Sequence, residues 1–86
     1  MLKIWAKTLL DDKITRQTMY KRFEKFDAES FMDYLVEICH ELDVPTPVVL
    51  KRHESDFDAF RFVKFRPGDF VESVDFELLW LENASD

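Results

Sequence analysis

The sequence predicts an α+β protein in which four strands form one antiparallel sheet and two helices pack on one of its faces. Residues 2–10 and 74–81 alternate between the two faces of a strand, and residues 31–42 place apolar side chains at helical spacing. The expected element order is β-β-α-α-β-β. The 86 residues fit a single globular domain, 1–86, whose last residues, 83–86, we expect to be frayed.

The long helix is predicted between residues 27 and 43. Asp27 is a suitable N-cap, because its carboxylate can accept hydrogen bonds from the free amides of the first turn. Pro45 and Pro47 end the helix, since the residue before a proline is pushed towards extended geometry. The apolar stripe comprises Phe31, Tyr34, Leu35, Ile38, Cys39 and Leu42.

The first two strands are predicted to form a hairpin. Residues 2–10 form a half-buried strand, and Asp11-Asp12 is a plausible turn. Residues 13–23 mix strand-favouring and helix-favouring side chains without a helical period, so we assign a second strand there.

A second, shorter helix is predicted over residues 47–59, with Thr46 as N-cap and Pro47 at its first position. The β-branched pair Val48-Val49 leaves a strand or an irregular segment open here.

Two strands are predicted to follow the second helix. The alternating segment 60–65 forms the third strand, and Pro67-Gly68 marks a turn. The last strand begins between residues 70 and 74 and ends at Leu81.

The charges predict that the first and last strands are neighbours in the sheet. Lys3 or Lys7 would then lie near Asp75 or Glu77 on the solvent side, because opposite charges on adjacent strands attract. The side chains expected beneath the long helix are Leu2, Ile4, Val74, Phe76 and Leu78.

The composition predicts a soluble, acidic, cytoplasmic protein. The net charge is −6, one Cys excludes an internal disulfide, and no apolar run is long enough for a membrane span. We interpret the N-terminal segment as a strand rather than a signal peptide. Residues 1–25 carry a net charge of +4 and the remaining residues a net charge of −10. Either the two parts complement each other within the protein, or the basic part attracts an anionic partner.

Two segments, ICHELDVPTP at 38–47 and DFVESVDF at 69–76, carry a resemblance. They resemble short, uncharacterised bacterial proteins of Gram-positive type, a family with no assigned function. The resemblance implies a bacterial cytoplasmic protein and transfers no functional residue.

Catalytic and metal chemistry have little support in the sequence. Cys39, His40 and His53 do not show the spacing of a zinc site, and Cys39 lies on the apolar stripe. Cys39 and His40 point about 100° apart on a helix, which leaves only Cys39 with His53 as a nucleophile pair. We expect no catalytic residue, no metal and no cofactor; an enzyme or metal protein around Cys39 and His53 ranks third.

The leading hypothesis is a small non-enzymatic protein-interaction module. The chain has nine Phe, two Trp and two Tyr, more large aromatic side chains than one small core readily buries. An aromatic patch on one sheet face would therefore bind a partner protein or a second copy. Trp5, Tyr20 and Trp80 are its candidate residues. The alternative is a nucleic-acid-binding protein that uses the basic N-terminal hairpin, with Arg16 and Arg22. We expect neither a membrane nor a small-molecule ligand.

Overall fold

The computed structural model of the protein describes residues 1–85 and has the predicted α+β architecture. The chain forms β1 (Leu2–Leu10), β2 (Lys13–Arg22), α1 (Phe31–Leu42), α2 (Lys51–Phe60), β3 (Phe62–Phe65) and β4 (Leu78–Asn83). Short 3₁₀ turns occupy Ala28–Ser30 and Pro67–Asp69. The four strands make one antiparallel sheet in the order β2-β1-β4-β3, and both helices contribute side chains to the core on one of its faces.

The predicted hairpin of β1 and β2 is confirmed, with a tight turn at its tip. Asp11 and Asp12 have φ angles of 52° and 63°, so both adopt the left-handed conformation that two-residue hairpin turns need. β1 buries alternate residues from Leu2 to Thr8 against the helices. Its other residues therefore lie on the opposite side of the sheet.

The first and last strands are neighbours, as the charges predicted, but the predicted charge pairs are wrong. β4 begins at Leu78, so Asp75 and Glu77 precede the strand. Asp75 forms an ion pair with Arg16 at 3.0 Å, and the Glu77 carboxylate accepts a hydrogen bond from the Asp11 amide. These acids therefore anchor the segment before β4 to the hairpin end of the sheet.

The predicted facing of β4 is also wrong. Leu79 and Leu81 are fully buried under the helices, whereas Leu78 is half-buried on the other side of the sheet. Phe76 is buried as predicted, but it reaches the core from the irregular segment before the strand, and Val74 packs at the core margin.

The long helix has the predicted apolar stripe, and all six residues of that stripe are buried. The Asp27 carboxylate accepts a hydrogen bond from the Glu29 amide at 3.1 Å, which caps the 3₁₀ turn that leads into α1. α1 ends at Asp43, whose φ of 56° turns the chain out of the helix.

The short helix begins four residues later than predicted, and Thr46 is not its cap. α2 starts after Leu50, whose amide donates to His53 Nδ1 at 2.9 Å. The helix includes Phe60, which the alternating pattern of residues 60–65 assigns to the third strand. Arg61, with a φ of 66°, then ends it.

The Pro67-Gly68 turn exists, but it does not join two strands directly. Gly68 lies in a 3₁₀ turn without a positive φ, and a Cβ there would meet no atom within 4 Å. The Asp69 carboxylate closes the turn by accepting from the Arg66 amide at 2.8 Å.

Within the segment 83–86, where fraying is predicted, the described residues make hydrogen bonds to β1. Asn83 is the last residue of β4, and the Ala84 amide donates to the Lys3 carbonyl at 2.8 Å. Ser85 Oγ accepts from the Lys3 amide. Asp86 lies outside the described residues.

The facing of β4 can be tested with two neighbouring leucines. Leu79→Ala should lower the free energy of unfolding by roughly 2–5 kcal/mol, because it leaves a cavity in the core. The matched control Leu78→Ala removes the same atoms from the face of the sheet that points away from the helices. It should lower the free energy of unfolding by at least about 1 kcal/mol less than Leu79→Ala does. Urea unfolding measures both, and a larger loss for Leu78→Ala would contradict the observed register.

Candidate functional site

The sheet face that points away from the helices carries the candidate site, and we call it the open face. Aromatic rings and lysines lie next to each other on this face. Its side chains belong to Lys3, Trp5, Lys7, Leu9, Gln17, Met19, Lys21, Phe62, Lys64, Leu78, Trp80 and Glu82.

Trp80 lies at the centre of the open face, between two lysines. In the strand register Lys7 of β1 is opposite Trp80 on one side, and Lys64 of β3 is opposite it on the other. Lys7 Nζ is 4.9 Å from the Trp80 ring centroid, and Lys64 Nζ is 4.5 Å from it. Each ammonium is thus within the range at which the negative face of an indole attracts a cation.

Two further aromatic rings extend this arrangement. Lys7 Nζ is 3.8 Å from the Trp5 ring centroid, so one lysine lies against both tryptophans. The Phe62 ring stacks on Trp80 with centroids 5.5 Å apart and an interplanar angle of 25°. We call Trp5, Lys7, Trp80, Lys64 and Phe62 together the tryptophan–lysine row.

The open face is basic although the protein is acidic. It carries Lys3, Lys7, Lys21 and Lys64 against Glu82, a net charge of +3 on a chain whose total is −6. The remainder of the molecule therefore carries −9. This separation gives the protein a dipole that favours the approach of an anionic partner to the open face.

One end of the open face borders a cleft of about 310 Å³. Leu9, Leu78 and Trp80 form its apolar lining, and Asp11, Asp12, Glu77 and Arg66 surround them. The cleft leaves open space beside Trp80.

Tyr20, a predicted site residue, does not belong to the open face. It lies on the core side of β2, is only 6% exposed, and its hydroxyl hydrogen-bonds to the Glu37 carboxylate of α1. Burial and the neighbouring Glu37 raise the pKa of Tyr20 to about 12. Tyr20 does not share a face with Trp5 and Trp80 because the strand alternation places it opposite Ile4, which faces the helices.

Arg16 and Arg22, the predicted contacts for a nucleic acid, are paired with acids of this chain. Arg16 makes two hydrogen bonds to Asp75, at 3.0 and 3.2 Å, and holds the pKa of that carboxyl below its usual range. Arg22 forms ion pairs with Glu24 at 2.7 Å and Glu37 at 3.3 Å. The basic hairpin is thus complemented internally at its arginines, while Lys3, Lys7 and Lys21 lie on the open face.

Cys39 and His53 do not form a nucleophile pair in the described part of the chain. Cys39 is buried on the apolar stripe, and burial raises the pKa of its thiol to about 11. His53 accepts from the Leu50 amide through Nδ1, and its ring packs on Phe65 with centroids 4.5 Å apart. No group of three or more His, Cys, Asp or Glu side chains within residues 1–85 could hold a metal ion.

Two residues of the tryptophan–lysine row, Trp5 and Trp80, are among the residues predicted from the sequence, whereas Lys7, Lys64 and Phe62 are not. The signal was present as two aromatic-x-Lys repeats, Trp5-Ala-Lys7 and Phe62-Val-Lys64, which put a ring and a lysine on the same face of a strand. Only the strand order brings the two repeats to either side of Trp80.

Comparisons with protein-family models, with curated proteins and with solved structures found no match to this chain. The resemblance to a bacterial family therefore stays a prediction. Among the described residues, no helix has both the length and the apolar character required to cross a bilayer.

The thiol of Cys39 should be unreactive in the folded protein. Because its pKa is raised to about 11 and the side chain is buried, native labelling near pH 8 should be at least about a hundredfold slower than labelling in denaturant. The consumption of a chromogenic thiol reagent measures both rates. Equal rates would contradict the buried position of Cys39.

His53 should make stability depend on pH. Burial lowers the pKa of His53 below its ordinary 6.5, with Arg52 acting in the same direction and Asp69 and Asp56 opposing it. Because the unfolded chain then binds the proton more readily than the folded protein, protonation of His53 favours unfolding. The contribution of neutral His53 to the free energy of unfolding is therefore fully present above pH 6.5 and is lost as the pH falls through the lower, native pKa. Protonation of Nδ1 would also remove the acceptor of the Leu50 amide.

Unfolding measured between pH 5 and 7 tests this linkage. His53→Gln should flatten the pH dependence, and His40→Gln, at an exposed position on α1, is the matched control variant. A wild-type profile with no slope in this range would contradict the assignment.

Proposed function

We propose that the protein is a non-enzymatic interaction module and that its open face binds an acidic segment of a partner protein. The tryptophan–lysine row is the observation that carries this proposal. It combines a rigid aromatic surface with positive charge on a face that no other part of the described chain covers.

The composition of the row favours a protein interface. Tryptophan is enriched among the residues that dominate binding energy, because a large ring loses little conformational freedom when it is buried. Phe62 is 37% exposed and Met19 44% exposed, so apolar area remains available at the edge of the row. The surrounding lysines would form the polar rim that such interfaces have.

The covered ring faces favour a protein partner over a nucleic acid. A single strand of nucleic acid binds by stacking its bases on open aromatic faces. Trp80 has Lys7 on its β1 side and Lys64 with Phe62 on its β3 side, so a base could not stack there without displacing one of them. A protein segment can instead contact the ring edges while its carboxylates pair with the lysines.

The charge of the open face also favours a different partner over a second copy. A symmetric dimer formed through this face would bring its lysines against the same lysines of the other copy. The two positively charged faces would repel each other, whereas an acidic segment would neutralise the net charge of +3 on the open face.

We also propose that the protein acts in a bacterial cytoplasm and uses no cofactor. The supports are the resemblance at residues 38–47 and 69–76 and the single cysteine, which is typical of a reducing compartment. The unreactive position of Cys39 supports a binding role rather than a catalytic one.

A short poly-L-glutamate peptide and a single-stranded oligonucleotide of equal charge test the proposal by titration at several salt concentrations. The wild type should bind the peptide more tightly than the oligonucleotide. The double variant Lys7→Glu/Lys64→Glu should weaken peptide binding by about tenfold or more, because it replaces both ammonium groups of the row with carboxylates.

The matched control is Lys25→Glu/Lys51→Glu, which makes the same charge change at exposed positions outside the open face. It should reduce binding much less. Equal losses for both double variants would mean that only the total charge matters, and tighter binding of the oligonucleotide would favour the nucleic-acid alternative. Either result would overturn the proposal.

A further inference from the structure

We infer that the indole N–H of Trp80 recognises the partner by donating a hydrogen bond to one of its carboxylates. This inference rests on the proposed function and identifies the atom of the open face that selects for an acceptor. It goes beyond charge attraction, because lysines alone would hold any anion of suitable size.

The two tryptophans of the open face differ in how their N–H groups are satisfied. Trp5 Nε1 donates to Gln17 Oε1 at 3.1 Å, across the β1–β2 pair. Trp80 Nε1 is shielded from solvent and has no hydrogen-bond partner within residues 1–85. Buried donors are nearly always paired in folded proteins, so the orphan N–H of Trp80 is an exception that needs a reason.

The strand register supplies a reason for the missing partner. The residues opposite Trp80 on both flanking strands are Lys7 and Lys64. A lysine ammonium has three donors and no acceptor, so neither side chain can accept the indole hydrogen. Trp5 has Gln17 close by, and its amide oxygen is an acceptor.

Trp80 therefore has an ammonium donor on each side, at 4.9 and 4.5 Å from its ring centroid, and an indole N–H without a partner within residues 1–85. A carboxylate has two oxygens and about four lone-pair positions, which suits it to accept from both ammonium groups and the indole N–H. When it binds, an ammonium group would move from the ring to the carboxylate and form an ion pair, which a stacked base would not offer it, and the indole edge would become accessible. The carboxylate would approach from the side of the lysines, because the cleft on the other side of Trp80 is bordered by Asp11, Asp12 and Glu77.

The experiment compares Trp80→Phe with the matched variant Trp5→Phe, again with the short poly-L-glutamate peptide as probe. Both variants keep an aromatic ring and lose one N–H. Trp80→Phe should weaken binding by about tenfold or more, because a hydrogen bond to a charged acceptor is lost. Trp5→Phe should have a clearly smaller effect, since its N–H is already engaged by Gln17.

Two additional readouts separate the N–H from the size of the ring. Replacement of Trp80 by 3-benzothienylalanine keeps the bicyclic shape and removes only the donor, so it should weaken binding as Trp80→Phe does. In the wild type, the chain has two indole N–H proton resonances. The Trp80 resonance should move downfield when the peptide is added, and the Trp5 resonance should move less.

The outcomes distinguish this inference from the proposed function. Peptide binding that survives both Trp80 replacements, or a Trp80 resonance that does not move, would overturn the inference and leave the proposed function standing. A wild type that does not bind the peptide, or prefers the oligonucleotide, would overturn the proposed function and the inference with it.

Discussion

The pairing of β1 with β4 is the constraint on which the rest of the structure depends. It joins the two ends of the chain in the middle of the sheet, so that the β1–β2 hairpin and the β3–β4 pair become one four-stranded surface. It also fixes which side of β4 is buried, since Ala6 lies opposite Leu81 and both face the helices. Two hydrogen bonds extend this pairing beyond the strand end: the Ala84 amide donates to the Lys3 carbonyl, and the Lys3 amide donates to Ser85 Oγ.

The same register creates the candidate site. With Leu79 and Leu81 turned to the core, Trp80 must lie on the open face, and β1 and β3 place a lysine on each side of it. A shift of one residue would bury Trp80 and expose two leucines. The energy of the core therefore holds the tryptophan–lysine row in place, although each cation–π contact by itself contributes only about 0.5–1 kcal/mol at an exposed site.

Much of the fold could be predicted from local sequence, and the errors lie where local sequence is ambiguous. Lys3 and Lys7 mark the exposed phase of β1 clearly, whereas Leu78 to Leu81 are all apolar and either phase looks possible until the neighbouring strands are placed. The start of α2 depends on the His53 side chain, which is held by a tertiary contact with Phe65, so the Thr46-Pro47 signal was misleading. Trp5 and Trp80 could be chosen from the sequence as candidate aromatic residues, but Lys7 and Lys64 join them only through the strand order.

The most direct test of this account is the proton NMR spectrum of the lysine side chains in the free protein. The ε-methylene protons of Lys7 and Lys64 should be shifted upfield by the ring currents of Trp5 and Trp80, and Lys7 should show cross-strand contacts to Trp80. Lys51, exposed at the start of α2, provides the reference position. Shifts of Lys7 and Lys64 that match Lys51, without contacts between Lys7 and Trp80, would contradict the register and the site built on it.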